Sequence, residues 1–105
     1  MIAIEGVSGF ETIPVAGTAV GITASNIRHS SGMYAFAIIV QCTDGAIRWR
    51  CDGTAPTVST GFLMDSRNNP IIVRGLDCIA DFQAIKDQNS PGGGTLEVAY
   101  CFAPV

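Results

Sequence analysis

The chain has 105 residues, of which 48% are hydrophobic and only 14% are charged, and its formal net charge is −3. This length predicts one domain over residues 1–105, and the hydrophobic content excludes a disordered chain. The acidic balance, without a basic tract, argues against nucleic-acid binding. The chain contains no run of about 18 apolar residues, so no membrane span is predicted.

The first ten residues, MIAIEGVSGF, form either an extra strand or an N-terminal arm that docks on a neighbour. They lack the basic lead and the long apolar core of a secretory signal, so we expect assembly in the cytoplasm. A turn over residues 14–18 and a short strand over residues 19–23 follow. The strongest strand pattern is YAFAIIVQC, residues 34–42, which is apolar on both faces. We expect this strand to be central and covered on both sides.

A hairpin is predicted next, because Thr43-Asp44-Gly45 has the composition of a tight turn in which glycine supplies a positive φ. Residues 46–51 then return antiparallel to the central strand. A sharp exit follows at residues 52–56, since Pro56 fixes its own φ and Gly53 is conformationally free.

The remaining elements are also strands. One covers residues 71–74, after a turn at residues 68–70. Residues 77–88 fit a helix or a strand, and we favour an irregular turn followed by a strand at about residues 81–86. The last strand covers residues 95–102. Turn residues recurring every eight to twelve positions or so predict an all-β antiparallel sandwich, jelly-roll-like or immunoglobulin-like. It would have about six to eight short strands and little or no helix.

Two of the six basic residues, Arg48 and Arg50, share one face of a predicted strand. They form either a solvated sheet face, whose aliphatic stems cover small residues, or a contact to an acidic surface on another subunit. We expect the only tryptophan, Trp49, in the core rather than stacked on a sugar. The candidate interface residues are Arg48, Arg50, Met1, Ile2 and Phe10.

The four cysteines, Cys42, Cys51, Cys78 and Cys101, are well separated, and without a C-x-x-C pair they do not predict a metal site. They are either buried free thiols or disulfide partners, within the chain or between subunits. Cys101 is the favoured candidate for a cross-link, because it faces away from the predicted core. His29 lies in a polar loop without an evident acid partner, so we predict no enzymatic activity and no cofactor.

The motif order from IRWRCDGTAPTVSTGFLM onward resembles a group of small virion proteins of tailed bacteriophages. In that group, a strand of the form x-R-x-R-x-D-G-T-x-P-T leads into G-x-x-L/M. Later strands have the forms φ-x-x-F-x-A-I and G-x-L-x-V-x-Y. The resemblance covers about residues 12–102. The matching positions are Arg48, Arg50, Asp52, Gly53, Thr54, Pro56, Thr57, Gly61, Met64, Ile79, Phe82, Ala84, Ile85, Gly94, Leu96, Val98 and Tyr100.

The resemblance implies a compact β-sandwich that sits on the virion. It leads us to expect a capsid decoration (cement) protein that binds the shell and stabilises it. The expected partners are phage capsid, neck or tail proteins, and a homo-oligomer is the expected state. The alternative is a neck, collar or tail-fibre accessory protein with carbohydrate-binding ability.

Overall fold

The computed structural model describes residues 7–28 and 34–102, and strands account for just over half of them. These strands are β1 (Val7–Val15), β2 (Val20–Gly21), β3 (Ala35–Arg50), β4 (Phe62–Asp65), β5 (Ile71–Arg74), β6 (Gln83–Lys86) and β7 (Gly94–Phe102). A 3-10 turn (Ala24–Asn26) and a short helix α1 (Leu76–Asp81) complete the described elements. The expected β-rich class with little helix is confirmed. No helix in this part of the chain is long and apolar enough to cross a membrane.

The seven strands form one sheet around β3. Hydrogen-bonded neighbours run β1-β7-β3-β6-β2, and β4 and β5 also pair with β3. The N-terminal part of β3 pairs with β7 and β5, and its C-terminal part pairs with β6 and β4, always antiparallel. The sheet curls into a half-barrel, and the expected sandwich of two separate sheets is not what the described residues show.

The predicted hairpin turn at Thr43-Asp44-Gly45 is wrong, because β3 runs through these residues as one strand of 16 residues. The pairing with β7 shifts register between Cys42 and Asp44, so Thr43 is the extra residue of a β-bulge. Gly45 does adopt a positive φ of 67°. A glycine of this conformation serves a bulge as well as a turn, and the local sequence does not distinguish the two.

Backbone segments meet closely beside this bulge. A Cβ atom on Gly45 would lie 2.0 Å from the carbonyl oxygen of Gly93, and one on Gly93 would lie 2.2 Å from that of Val15. The Ser90 hydroxyl accepts a hydrogen bond from the Ala46 amide at 3.1 Å and donates one to the Gly93 carbonyl at 2.9 Å. These contacts hold the loop between β6 and β7 against β3.

The core lies on the inner face of the curled sheet. On β7 the predicted inward set is confirmed, with each side chain 4% exposed or less: Leu96, Val98, Tyr100 and Phe102. Ile38 and Ile47, from the two parts of β3, belong to the same buried cluster. The expectation that the first half of β3 is covered on both faces is wrong, since Phe36 is 37% exposed and Ile39 is half-buried.

One carboxylate ties three elements together at the edge of this core. Glu11 of β1 accepts hydrogen bonds from the Thr23 amide at 3.0 Å, from the Thr23 hydroxyl at 2.7 Å and from the hydroxyl of Tyr100. Partial burial tends to raise the pKa of Glu11, but these hydrogen bonds outweigh burial and hold the pKa below its ordinary value. Burial and the adjacent carboxylate raise the pKa of Tyr100.

Candidate functional site

An apolar row crosses the outer face of the sheet. Strand register places Phe10 of β1 beside Ala99 of β7, Ala99 beside Ile39 of β3, and Ile39 beside Ile72 of β5. Phe10 is 65% exposed and Ile72 is 42% exposed, while Ala99 and Ile39 are half-buried. Directly opposed side chains on neighbouring strands lie about 4.5–5.5 Å apart, so these four residues form a continuous surface, the outer strip.

A polar row runs along one side of the outer strip. Thr12 of β1 pairs with Glu97 of β7, and Glu97 pairs with Gln41 of β3. The Thr12 hydroxyl donates a hydrogen bond to the Glu97 carboxylate at 2.8 Å. An apolar centre with a polar border is the usual anatomy of a protein–protein interface, and exposed apolar patches of this kind mark interaction sites.

Phe10 is the predicted interface residue that the structure places in the outer strip. Met1 and Ile2 lie outside the described residues. Residues 7–10, the described part of the expected arm, belong to β1 and pair with β7. The partners of Phe10 in the strip were not identified from the sequence. A signal for Ile39 was present in YAFAIIVQC, residues 34–42, because a strand that is apolar on both faces has either two buried faces or one buried face and one face that contacts another protein.

Arg48 lies inside the fold. Its Nε donates to Oδ1 of Asp87 at 2.8 Å, and its Nη1 donates to the carbonyl of Gly61 at 3.0 Å. The Arg48 and Asp87 side chains are 23% and 4% exposed. The Asn89 amide and the Arg48 guanidinium hold the pKa of Asp87 below its ordinary value. Arg48 therefore joins β3 to the loop before β7 and to the segment before β4, a role that neither sequence interpretation contained.

Arg50 lies beside a shallow cavity at the C-terminal end of β3. Its Nε donates to Oδ1 of Asp52 at 3.0 Å, and this hydrogen bond is the main cause that lowers the pKa of Asp52. The cavity has a volume of about 370 Å³ and is lined by Arg50, Cys51, Asp52, Thr60, Gly61 and Phe62. The Arg50 charge is thus already paired within the chain, although its side chain remains 28% exposed.

Trp49 closes this end of the sheet. Its ring centroid lies 5.1 Å from that of Phe62 and 5.6 Å from that of Phe82, on which it stacks. Phe82 is buried, whereas Phe62 is 67% exposed. Trp49 is half-buried and packs against the core cluster, close to its predicted place.

All four cysteines are free thiols in the structure. The cross-link favoured at Cys101 stays a prediction. Cys101 lies on the outward side of β7, yet it is only 4% exposed, and its neighbour in register on β3 is Ala37. Burial also raises the pKa of Cys101, which leaves less of the reactive thiolate. Cys42 is buried as well, and its thiol lies 3.2 Å from the carbonyl oxygen of Asp44.

The other two cysteines are half-buried and lie near each other. Cys51 follows β3 directly and Cys78 lies in α1, and the Cys78 thiol is close enough to that of Cys51 to affect its ionisation. Burial and this neighbouring thiol raise the pKa of Cys51. No sequence pattern indicates that this pair meets, because 26 residues lie between the two cysteines and no short motif links them.

Across residues 7–28 and 34–102, no three His, Cys, Asp or Glu side chains are grouped so that they could hold a metal ion. The predicted loop histidine, His29, lies outside these residues. A scan against protein-family models and searches of curated proteins and of solved structures found no match to this chain.

Proposed function

We propose that the chain is a structural virion protein of a tailed phage, and that it decorates the capsid by binding the shell through the outer strip. The observation that carries the proposal is the in-register apolar row of Phe10, Ala99, Ile39 and Ile72, whose two ends, Phe10 and Ile72, are exposed. The low charge content supports it, because much of the surface must then be apolar or small and is best covered by other protein. The motif resemblance to small virion proteins of tailed phages is the reason for proposing that the partner is a phage capsid.

The occupant of the outer strip is, in this proposal, the surface of the shell protein. The strip lies on a pleated sheet face and is bordered by Thr12, Gln41 and Glu97, so it suits a flat apolar partner that donates hydrogen bonds at its rim. A shell repeats such a partner many times. Contacts of moderate strength then add up when the decorating protein binds as an oligomer.

A homo-oligomer is part of the proposal, and the sheet borders support it. Among the described strands, β1 pairs with β7 alone, and β4 and β5 pair with β3 alone. Each of these strands therefore presents an edge, and edge strands are ready templates for pairing with another chain. We also propose a two-layer form, in which the two parts of the curled sheet, which share β3, act as the two layers around one core.

The test uses two phenylalanines of matched exposure, Phe10 at 65% and Phe62 at 67%. Empty shells assembled from the major shell protein of the same genome are mixed with the purified chain and sedimented. We expect Phe10→Ser to weaken co-sedimentation about tenfold, as truncation of a large aromatic interface residue that carries binding energy does. Phe62→Ser should bind normally. Equal binding by Phe10→Ser would reject the outer strip, and no binding by the unaltered chain would reject shell decoration.

The alternative function, a neck or tail-fibre accessory that binds carbohydrate, is favoured by one observation. The exposed ring of Phe62 lies beside the cavity at the end of β3 and against Trp49. An aromatic face next to a cavity with a paired arginine is a suitable place for a sugar ring to stack. Glycan-array binding that Phe62→Ser abolishes, together with normal binding by Phe10→Ser, would establish this function instead.

A further inference from the structure

The proximity of Cys51 and Cys78 has a chemical consequence that is independent of shell binding. The Cys78 thiol lies close enough to Cys51 to act on its ionisation. A second contact shows that the two segments lie together: a Cβ atom on Gly53 would sit 3.8 Å from Oδ2 of Asp81. Helix α1 also packs against β3. A covalent bond between the two sulfurs would therefore join two segments that already lie together, the end of β3 and helix α1.

Access separates this pair from the other two cysteines. Cys51 and Cys78 are half-buried, and Cys51 lines the cavity of about 370 Å³ at the end of β3. Cys42 and Cys101 are 1% and 4% exposed. A small reagent that enters the cavity meets Cys51 with a second thiol directly beside it, which is the arrangement that converts a mixed disulfide into an intramolecular one.

We propose that Cys51 and Cys78 form a redox-active dithiol that a small-molecule disulfide closes to an intramolecular disulfide. One thiol of the pair loses its proton to solvent, and its thiolate attacks a sulfur of the small disulfide and releases one small thiolate. The second cysteine, deprotonated in turn, attacks the mixed disulfide and releases the other small thiolate. The protein loses two electrons and two protons, and the small disulfide is reduced to two thiols.

The closed form covalently encloses β4 and β5, which lie between the two cysteines in the chain and form an open border of the sheet. A bond between the end of β3 and α1 restricts the opening of both edge strands, since a disulfide removes conformations from the opened chain. Thiols kept reduced in the cytoplasm would close once the protein meets an oxidising medium.

The charge around the pair is anionic on one side. Asp52 and Asp81 act on Cys51 and raise the pKa of its thiol further, after burial and Cys78. Arg50 pairs with Asp52 and offsets part of that charge. A neutral small disulfide is therefore the better probe than an anionic one, and 2-hydroxyethyl disulfide is suitable.

The experiment treats the reduced full-length protein with 2-hydroxyethyl disulfide, then blocks remaining thiols under denaturing conditions and maps peptides by mass spectrometry. We expect a monomer whose mass before blocking is lower by two hydrogens. After blocking, the peptides should show Cys51 linked to Cys78 and blocking groups on Cys42 and Cys101. Cys51→Ser and Cys78→Ser should each stop at one mixed disulfide on the remaining partner. A Cys42→Ser/Cys101→Ser variant should close normally.

Three results would overturn the proposal. They are a stable mixed disulfide on the unaltered protein, a linkage that maps to another pair, and oxidation that yields only covalent dimers. Amide exchange provides a second readout that needs no substitution: closure should slow exchange in β4 and β5 relative to β1. Unchanged exchange in a protein whose Cys51–Cys78 bond is verified by mass would reject the assigned effect on the edge strands. None of these outcomes depends on shell binding, so failure of the proposed function leaves this test intact.

Discussion

The internal ion pair of Arg48 allows a sharp prediction about stability. In Arg48→Met the aliphatic stem keeps a similar volume, but the Asp87 carboxylate loses its cation and the Gly61 carbonyl loses a donor. Removing one partner of a fully buried pair costs about 3–5 kcal/mol. The cost is smaller here, because the Arg48 side chain is 23% exposed and the Asn89 amide still donates to Asp87 at 3.0 Å. We therefore expect a loss of about 2 kcal/mol in the free energy of unfolding.

Urea unfolding monitored by Trp49 fluorescence measures this loss. With a denaturant slope of about 1 kcal/mol per molar urea, typical of a small domain, the midpoint should fall by about 2 M. The matched control is Arg67→Met, which breaks an ion pair to Asp65 of similar length, 2.9 Å, on the surface. The Arg67 side chain is 88% exposed, so water replaces the lost contact and the midpoint should not move.

A double-mutant cycle isolates the pair itself. If Arg48 acts through Asp87, then Arg48→Met should cost much less in an Asp87→Asn background than in the unaltered chain. An Arg48→Met midpoint equal to that of Arg67→Met would refute the reasoning. Arg48 would then be a surface residue in solution, and the interpretation of the arginines as a subunit contact would regain its basis.

Two further predictions follow from the same network and from the bulge. The pKa values of Glu11 and Asp87 are lowered in the folded state, so the stabilisation from these carboxylates is complete above the unfolded pKa of about 4 and is lost as pH falls through the folded pKa values. In an acid titration, the free energy of unfolding should therefore fall less steeply with decreasing pH for Asp87→Asn than for the unaltered chain. An equally steep fall would contradict this. Gly45 and Gly75 both have positive φ, 67° and 90°, but only a Cβ on Gly45 would clash, with Gly93 at 2.0 Å, whereas one on Gly75 meets nothing within 4 Å. Gly75→Ala should therefore cost about 1 kcal/mol and Gly45→Ala about 3 kcal/mol or more in calorimetry, and equal losses would show that the bulge relaxes freely.

Local patterns were sufficient where the structure depends on alternation. The inward set of β7 follows directly from its period of two, and the strand over residues 71–74 follows from its apolar run after a turn. A helix was one of two alternatives over residues 77–88 and was not favoured, because the six residues of α1 are too few to show a helical period. The favoured strand at about residues 81–86 is present as β6 (Gln83–Lys86). The bulge at Thr43 was mistaken for a turn, since Asp-Gly sequences satisfy both.

The site was less predictable because it depends on register. Phe10 could be singled out as a large apolar residue near the N-terminus, but its neighbours Ile39 and Ile72 become one surface only when β1, β7, β3 and β5 align. Arg48 lies inside because Asp87, distant in the chain, reaches it from the loop before β7. Pairs of this kind arise from tertiary contacts and leave no short motif.

The most direct test of the central claim, that the chain is an assembly subunit of the virion, is its copy number in purified particles. Quantitative mass spectrometry would compare peptides of this chain with peptides of the major shell protein. Shell decoration predicts a fixed ratio that corresponds to many copies per particle, and a ratio that falls sharply when Phe10→Ser replaces the natural chain. A chain absent from washed particles and recovered as a free monomer would contradict the account.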